Sequence, residues 1–180
     1  MALAIVVAGG FLAATAVVRH QQRAQLVAEQ ELPADVRAEV DQTWERFNDV
    51  FGSQRRCVDD VRLRLVSDVP DGDARYVVDE RRIDIEIPTS PRRFRESFVH
   101  ELAHHVEHTC ARADELRRSF LALDGVSGPW HEGSTWATTP SELWAETVVL
   151  VVNGERVRHG RSVPLPAGAE TVVREWAASG

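Results

Sequence analysis

The chain has 180 residues, a length typical of one domain with its own hydrophobic core. Its formal net charge is −7 and its sequence pI is about 5.5, so its surface would repel the phosphates of nucleic acid. The composition therefore argues against a nucleic-acid partner, and it excludes neither an enzyme nor a protein-binding module.

The N-terminal segment differs in kind from the rest of the chain. Residues 2–18 are an apolar run without a charged residue, followed by Arg19 and Arg23. The run is short for a transmembrane helix and long for the core of a signal peptide. Small residues at positions 13–16 would suit cleavage, whereas the positive-inside rule would place Arg19 and Arg23 in the cytoplasm.

We expect residues 1–18 to be a signal peptide or a membrane anchor, the alternative being a buried core helix. If the segment is not cleaved, it would attach the protein to a membrane. Cys57 and Cys110 are the only cysteines, and an even count behind an export segment favours one disulfide. The alternative is two free thiols in a reducing compartment. We prefer export, with the domain extracellular or membrane-anchored outside the cytoplasm.

The folded domain is predicted to occupy residues 33–180, after a polar linker at residues 19–32. It opens with a helix that starts near Pro33, because apolar residues recur there at helical spacing. Gly52 is a typical end signal for that helix. Alternation of apolar and polar residues then predicts three strands, at residues 57–66, 75–78 and 82–87.

The most informative segment is the helix that follows, with Ser90 as its N-cap and Pro91 at its first position. It contains His-Glu-x-x-His, formed by His100, Glu101 and His104. Histidines four apart lie on one helical face and can bind one metal ion, for which Zn²⁺ is the usual occupant. The Glu is offset by about 100° around the helix, beside the ion, where a general base is needed. We predict a zinc site here, the alternative being a chance motif in an amphipathic helix.

The remaining sequence predicts three more helices, at residues 113–124, about 140–152 and 167–178. A loop at residues 125–139 contains His131, and a loop of this length in a compact domain is often functional. The order of elements predicts an α+β fold in which a small mixed sheet of about three strands packs on the active-site helix.

A catalytic zinc site needs a third protein ligand. Cys110 lies six residues past His104, but no glycine bends the helix there, and a thiolate usually marks a closed structural site. Glu142 and Glu146 are better candidates, because they lie four apart on one face of a predicted helix. Thr139 and Glu142 also fit a capping box, and in that case Glu146 would be the ligand.

The motif, followed some tens of residues later by Glu-Leu-Trp-Ala-Glu on a second helix, resembles the gluzincin pattern of zinc metallopeptidases. The second segment is similar to the corresponding helix of lethal factor-like enzymes, and thermolysin-like enzymes carry a related helix. The resemblance implies a zincin-like fold and zinc ligands His100, His104 and Glu142. It also implies that Glu146 orients a ligand His and that Glu101 is the general base, with a peptide or protein as substrate.

The chain departs from this pattern at the group that stabilises the oxyanion. Lethal factor-like enzymes place a Tyr shortly before the ligand Glu, whereas the only tyrosine here is Tyr76, in an early strand. His131 is our candidate for this role, as a His is in thermolysin-like sites, and the alternative is a backbone group of the same loop.

In proteases of this kind, the strand before the active-site helix usually forms the sheet edge that pairs with an extended substrate, so residues 82–87 are the candidate strand. The sequence therefore predicts a zinc-dependent peptidase. The alternatives are a zinc-binding domain without catalytic activity and an exported interaction module without a metal.

Overall fold

A computed structural model describes the chain in five ranges, which are residues 24–54, 57–70, 72–87, 90–156 and 163–180. The predicted signal peptide or anchor at residues 1–18 lies outside them, as do Arg19 and Arg23. Of the helices inside these ranges, none has the length and hydropathy needed to span a bilayer.

The described strands form one mixed sheet in the order β1-β2-β4-β3. They are β1 (Leu26–Ala28), β2 (Val61–Val66), β3 (Ala74–Val77) and β4 (Arg82–Glu86). β1, β2 and β4 are mutually parallel, and β3 is antiparallel to β4. The described helices are α1 (Ala34–Phe51), α2 (Pro91–Thr109), α3 (Ala113–Leu121), α4 (Pro140–Asn153) and α5 (Ala169–Ala178). The predicted α+β class is confirmed.

The sheet differs from the sequence prediction in two places. Part of the segment predicted as a linker forms β1, with Leu26 opposite Val61. A strand of three residues is too short to carry a periodic signal. Residues 82–87 were expected at the sheet edge, and that prediction was wrong. β4 lies between β2 and β3, because β3 folds back on it through a tight turn at residues 78–81 and takes the outer position.

Helix α2 lies between the sheet and the other helices. The side chains of Leu63, Ile83 and Ile85 are buried on the face of the sheet that α2 covers. On its other sides α2 packs against α4 and α1. Ser90 caps α2 as predicted, since its side-chain oxygen accepts a hydrogen bond from the backbone N–H of Arg93 at 3.3 Å.

The predicted disulfide is present between Cys57 and Cys110. It joins the segment before β2 to the residue that ends α2. Beside it, the Thr109 hydroxyl donates a hydrogen bond to the carbonyl oxygen of Cys57 at 2.8 Å. The bond closes a chain segment with a sequence separation of 53, which restricts the unfolded chain and ties the C-terminal end of α2 to the sheet.

Asp84 lies on the opposite face of the sheet, buried beneath arginine side chains. Its carboxylate accepts hydrogen bonds of 2.7–3.4 Å from Arg64, Arg75 and Arg82. Burial raises the pKa of Asp84, but the hydrogen bonds from the three guanidinium groups outweigh it and lower the pKa to about 2. The ionised carboxylate therefore stabilises the fold fully above about pH 4, and this stabilisation is lost as the pH falls toward 2.

Asp84→Asn is expected to lower the free energy of unfolding by about 2–4 kcal/mol at pH 7, because three guanidinium groups lose a buried anionic partner. The difference from wild type should shrink between about pH 4 and pH 2, where the wild-type carboxylate itself takes up a proton. Urea unfolding at pH 7 and at pH 3 measures both effects. Asp59→Asn is the control, since Asp59 is half exposed in its ion pair with Arg81 and should contribute about 1 kcal/mol or less. Equal losses in the two variants would contradict this account of Asp84.

Candidate metal centre

Three ligand atoms from two helices converge at one point. The Nε2 atoms of His100 and His104, on α2, lie 3.2 Å apart, and Oε2 of Glu142, on α4, lies 3.0 and 3.7 Å from them. Ligand atoms bound tetrahedrally at about 2.0–2.1 Å from a zinc ion are separated by about 3.3 Å. The donor set and its spacing therefore fit one zinc ion, and all three side chains line the same cleft.

The orientation of α4, which directs Glu142 toward the histidines of α2, is fixed by packing in the core. Trp144 is fully buried, and its ring makes edge contacts at 6.1–6.4 Å with three other rings, those of Phe51, Phe120 and Trp176. The Thr139 side chain makes no capping hydrogen bond. The capping box considered from the sequence is therefore not formed, and the Glu142 carboxylate is directed to the histidines.

Each of these histidines is held by a carboxylate at its other ring nitrogen. His100 Nδ1 lies 3.2 Å from Oε1 of Glu146, and His104 Nδ1 lies 3.0 Å from Oε1 of Glu107. A hydrogen bond donated by Nδ1 leaves the Nε2 lone pair free for a metal. Glu146 thus occupies the supporting position expected for it. The contact of Glu107 with His104 was not predicted from the sequence. Residues three apart on a helix are neighbours, so the spacing of these two residues could have indicated it.

The two supporting carboxylates are themselves fixed by other parts of the chain. Glu107 is buried, and its Oε2 accepts a hydrogen bond of 2.7 Å from the indole N–H of Trp130. Glu146 pairs with Arg156 at 2.6 Å, and that guanidinium also donates to the carbonyl oxygen of Val163. The loop at residues 125–139 and the segment after α4 therefore both help to position the histidines.

Glu101 is buried in the wall of the cleft beside the ligand atoms. Burial raises the pKa of its carboxyl group, an effect that the nearby His100 and His104 oppose. A carboxylate with a raised pKa suits a group that takes a proton from water and passes it on.

The charge of the centre favours a cation. Burial lowers the pKa of His100, but hydrogen bonds to Glu142 and Glu146 outweigh it and raise the pKa to about 9. Burial raises the pKa of Glu142, whereas hydrogen bonds from the two histidines lower it well below its usual range. With Glu101 and Glu107 nearby, the imidazoles are surrounded by carboxylates, so positive charge between them is stabilised.

The centre opens into a cleft with a volume of about 930 Å³. β3 forms one wall with Ala74, Arg75 and Tyr76. Elsewhere in the cleft, the ring of Trp136 stacks on His100 at a centroid distance of 5.8 Å. Because β3 is an edge strand paired only with β4 in the described sheet, its outer side can accept the backbone of an extended peptide.

His131 and Tyr76 both line the cleft, with different neighbours. His131 is half exposed, its Nδ1 lies 3.9 Å from Oε1 of Glu107, and its ring stacks on His108. The structure brings His131 into the site, and its role toward an oxyanion stays a prediction. The Tyr76 hydroxyl lies 3.0 Å from Nδ1 of His105. The other ring nitrogen of His105 donates to the Asp59 carbonyl at 3.0 Å, so Nδ1 is the acceptor and the phenol is engaged there. Cys110 is in the disulfide and is no metal ligand.

The chain was compared with protein-family models, with curated proteins and with solved structures, and no match was found in any of the three. The proposed function therefore rests on the arrangement of side chains in the cleft.

Proposed function

We propose that the chain is a zinc-dependent metallopeptidase of the gluzincin type that hydrolyses peptide bonds in a peptide or protein. The observation that carries this proposal is the convergence of His100, His104 and Glu142, within 3.0–3.7 Å of one another, beside the buried Glu101. The zincin-like fold is part of the proposal. It is supported by the packing of the motif helix between a mixed sheet and α4.

A zinc ion held by these three residues would act as a Lewis acid and lower the pKa of a water molecule. Glu101 accepts a proton from the attacking water and delivers it to the leaving amine. β3 binds the extended substrate backbone along its free edge. His131 donates a hydrogen bond to the developing oxyanion. Glu107 and Glu146 keep the two imidazoles oriented with Nε2 toward the Glu142 carboxylate, where an ion would be held.

The proposed location is extracellular or membrane-anchored, with the domain outside the cytoplasm. The disulfide between Cys57 and Cys110 supports it, because such bonds persist in oxidising compartments and are rare in the cytosol.

Zinc content and hydrolysis test the proposal together. The purified chain of 180 residues is expected to retain about one zinc per molecule after dialysis and to cleave an unstructured protein such as casein. A chelator should abolish cleavage, and added zinc should restore it, because the ion is needed for the reaction. A chain that takes up no zinc from an excess of the metal would rule out both the metal centre and the peptidase.

A second candidate is a zinc-binding domain without catalytic activity. It is favoured by the position of Tyr76, whose hydroxyl is engaged by His105 and therefore does not take the place that a Tyr has in lethal factor-like sites. Zinc bound at full stoichiometry, without cleavage of any peptide in a broad substrate library, would support this candidate over the peptidase.

Glu107→Gln is expected to weaken the tightest zinc binding by about 10–100-fold, because His104 loses the anionic partner of its Nδ1–H. Competition with a chromophoric chelator measures the affinity. Glu132→Gln is the matched control, since Glu132 is exposed in the adjoining loop. Unchanged affinity in Glu107→Gln would show that Glu107 has only a structural role through Trp130.

A further inference from the structure

A second cluster of metal-binding side chains adjoins the candidate zinc centre. It consists of Glu107, His108 and His131, hereafter the outer cluster, with one ligand atom from each within 4.8 Å of the others. Oε1 of Glu107 lies 3.6 Å from Nε2 of His108 and 3.9 Å from Nδ1 of His131. The peptidase proposal uses His131 and Glu107 separately, and it gives no role to His108 or to the grouping of two imidazoles around one carboxylate.

The Glu107 carboxylate contacts residues of both clusters. Its side chain is fully buried, its Oε2 accepts from Trp130, and its Oε1 accepts from His104 at 3.0 Å. A carboxylate oxygen has two lone pairs. Oε1 therefore has a second lone pair with which it could bind an ion, and its neighbours besides His104 include the ring nitrogens of His108 and His131.

The ligand atoms of the outer cluster lie somewhat further apart than those of an occupied metal site. The cluster's oxygen–nitrogen separations of 3.6 and 3.9 Å are a few tenths of an ångström above the roughly 3.3 Å between ligand atoms of tetrahedral zinc. The His108 and His131 side chains are 27% and 51% exposed, so small rotations can bring their ring nitrogens inward. Two imidazoles and a carboxylate are ligands that first-row divalent ions such as Zn²⁺ accept.

We propose that the outer cluster is a second, weaker divalent-metal site. Glu107 links it to the candidate zinc centre, because the same oxygen that accepts the His104 N–H would bind the second ion. His108 and His131 also line the cleft, so an ion bound between them occupies part of the substrate-binding space. Filling this site at high zinc concentration therefore inhibits the cleavage proposed above, while the inference about metal binding does not depend on that cleavage.

The test is a titration of the chain of 180 residues with Zn²⁺ alone, followed by calorimetry and by metal analysis after gel filtration. Wild type is expected to bind two zinc ions, one tightly and one more weakly. His108→Ala and His131→Ala should each remove the weaker class and keep the tight one. Glu142→Ala should remove the tight class and keep the weaker one. The titration therefore distinguishes an incorrect assignment of the outer cluster from an incorrect assignment of the candidate zinc centre. Glu132→Ala, an exposed neighbour of His131, should keep both classes.

Retention of the weaker zinc in both His108→Ala and His131→Ala would overturn the proposal. Loss of the weaker zinc in Glu132→Ala would also overturn the proposal, because that result would indicate adventitious binding at the surface. Thermal unfolding of the metal-free variants provides a second measurement. The exposed positions of His108 and His131 imply midpoints close to wild type, so lost binding can be separated from lost folding.

Discussion

Glu101→Gln is expected to lower peptide hydrolysis by about 10²–10⁴-fold and to leave the zinc content at the wild-type level. Gln matches Glu in size but does not accept a proton from water at neutral pH. The zinc content should not change, because the proposed ligand atoms belong to His100, His104 and Glu142. Initial rates on a fluorogenic peptide, measured beside metal analysis of the same sample, separate the two effects.

Glu132→Gln is the matched control for charge removal, and it should keep both activity and zinc because Glu132 is exposed in the loop. Wild-type rates in Glu101→Gln would mean that another group moves the proton. Loss of zinc together with activity would mean that Glu101 maintains the metal centre rather than acting on the substrate.

Glu142→Ala is expected to lose the tightly bound zinc. Its zinc affinity should fall by more than the roughly 10–100-fold expected when a carboxylate that supports a ligand histidine is removed. Hydrolysis should disappear with the metal. The reason is geometric, since Oε2 of Glu142 lies 3.0 and 3.7 Å from the two imidazole nitrogens, and a catalytic zinc site uses three protein ligands. Competition with a chromophoric chelator gives the affinity, and metal analysis gives the stoichiometry.

Glu146→Ala is the comparison for this prediction. Glu146 contacts the far ring nitrogen of His100 and Arg156, so its removal should weaken zinc binding by about 10–100-fold without abolishing it. If Glu146→Ala abolished binding and Glu142→Ala did not, the third ligand would have to be placed one helical turn further along α4.

The grouping of side chains at the candidate metal centre could be predicted from the sequence to the extent that its signals are local. The histidines of the motif and the two carboxylates of α4 each lie four residues apart on a helix, so periodicity alone places each pair on one face. Ser90 followed by Pro91 is likewise a local signal, and the cap forms as expected. The choice between Glu142 and Glu146 required the structure, because it depends on how α4 is rotated around the buried Trp144.

Apart from the local pair of His104 and Glu107, the features that were missed depend on contacts between distant segments. β1 is too short for a periodic pattern, and it is defined by its pairing with β2. The edge position of β3 depends on the side of β4 on which β3 pairs after the turn at residues 78–81. The contact between Trp130 and Glu107 depends on the path of a loop. None of these contacts leaves a trace in the spacing of apolar residues, which was the main signal in the sequence.

The disulfide at Cys110 should make local opening of α2 slower than local opening of α4. α2 is capped by Ser90 at one end and cross-linked at the other, and both features oppose fraying of its termini. Its central amides, at His100 and His104, should exchange with deuterium only when the whole domain unfolds. α4 has no such cross-link, since the chain has only two cysteines. Release of a bound ion in the native state would therefore begin with movement of Glu142 away from the histidines. The rate of metal release would then measure local opening of α4.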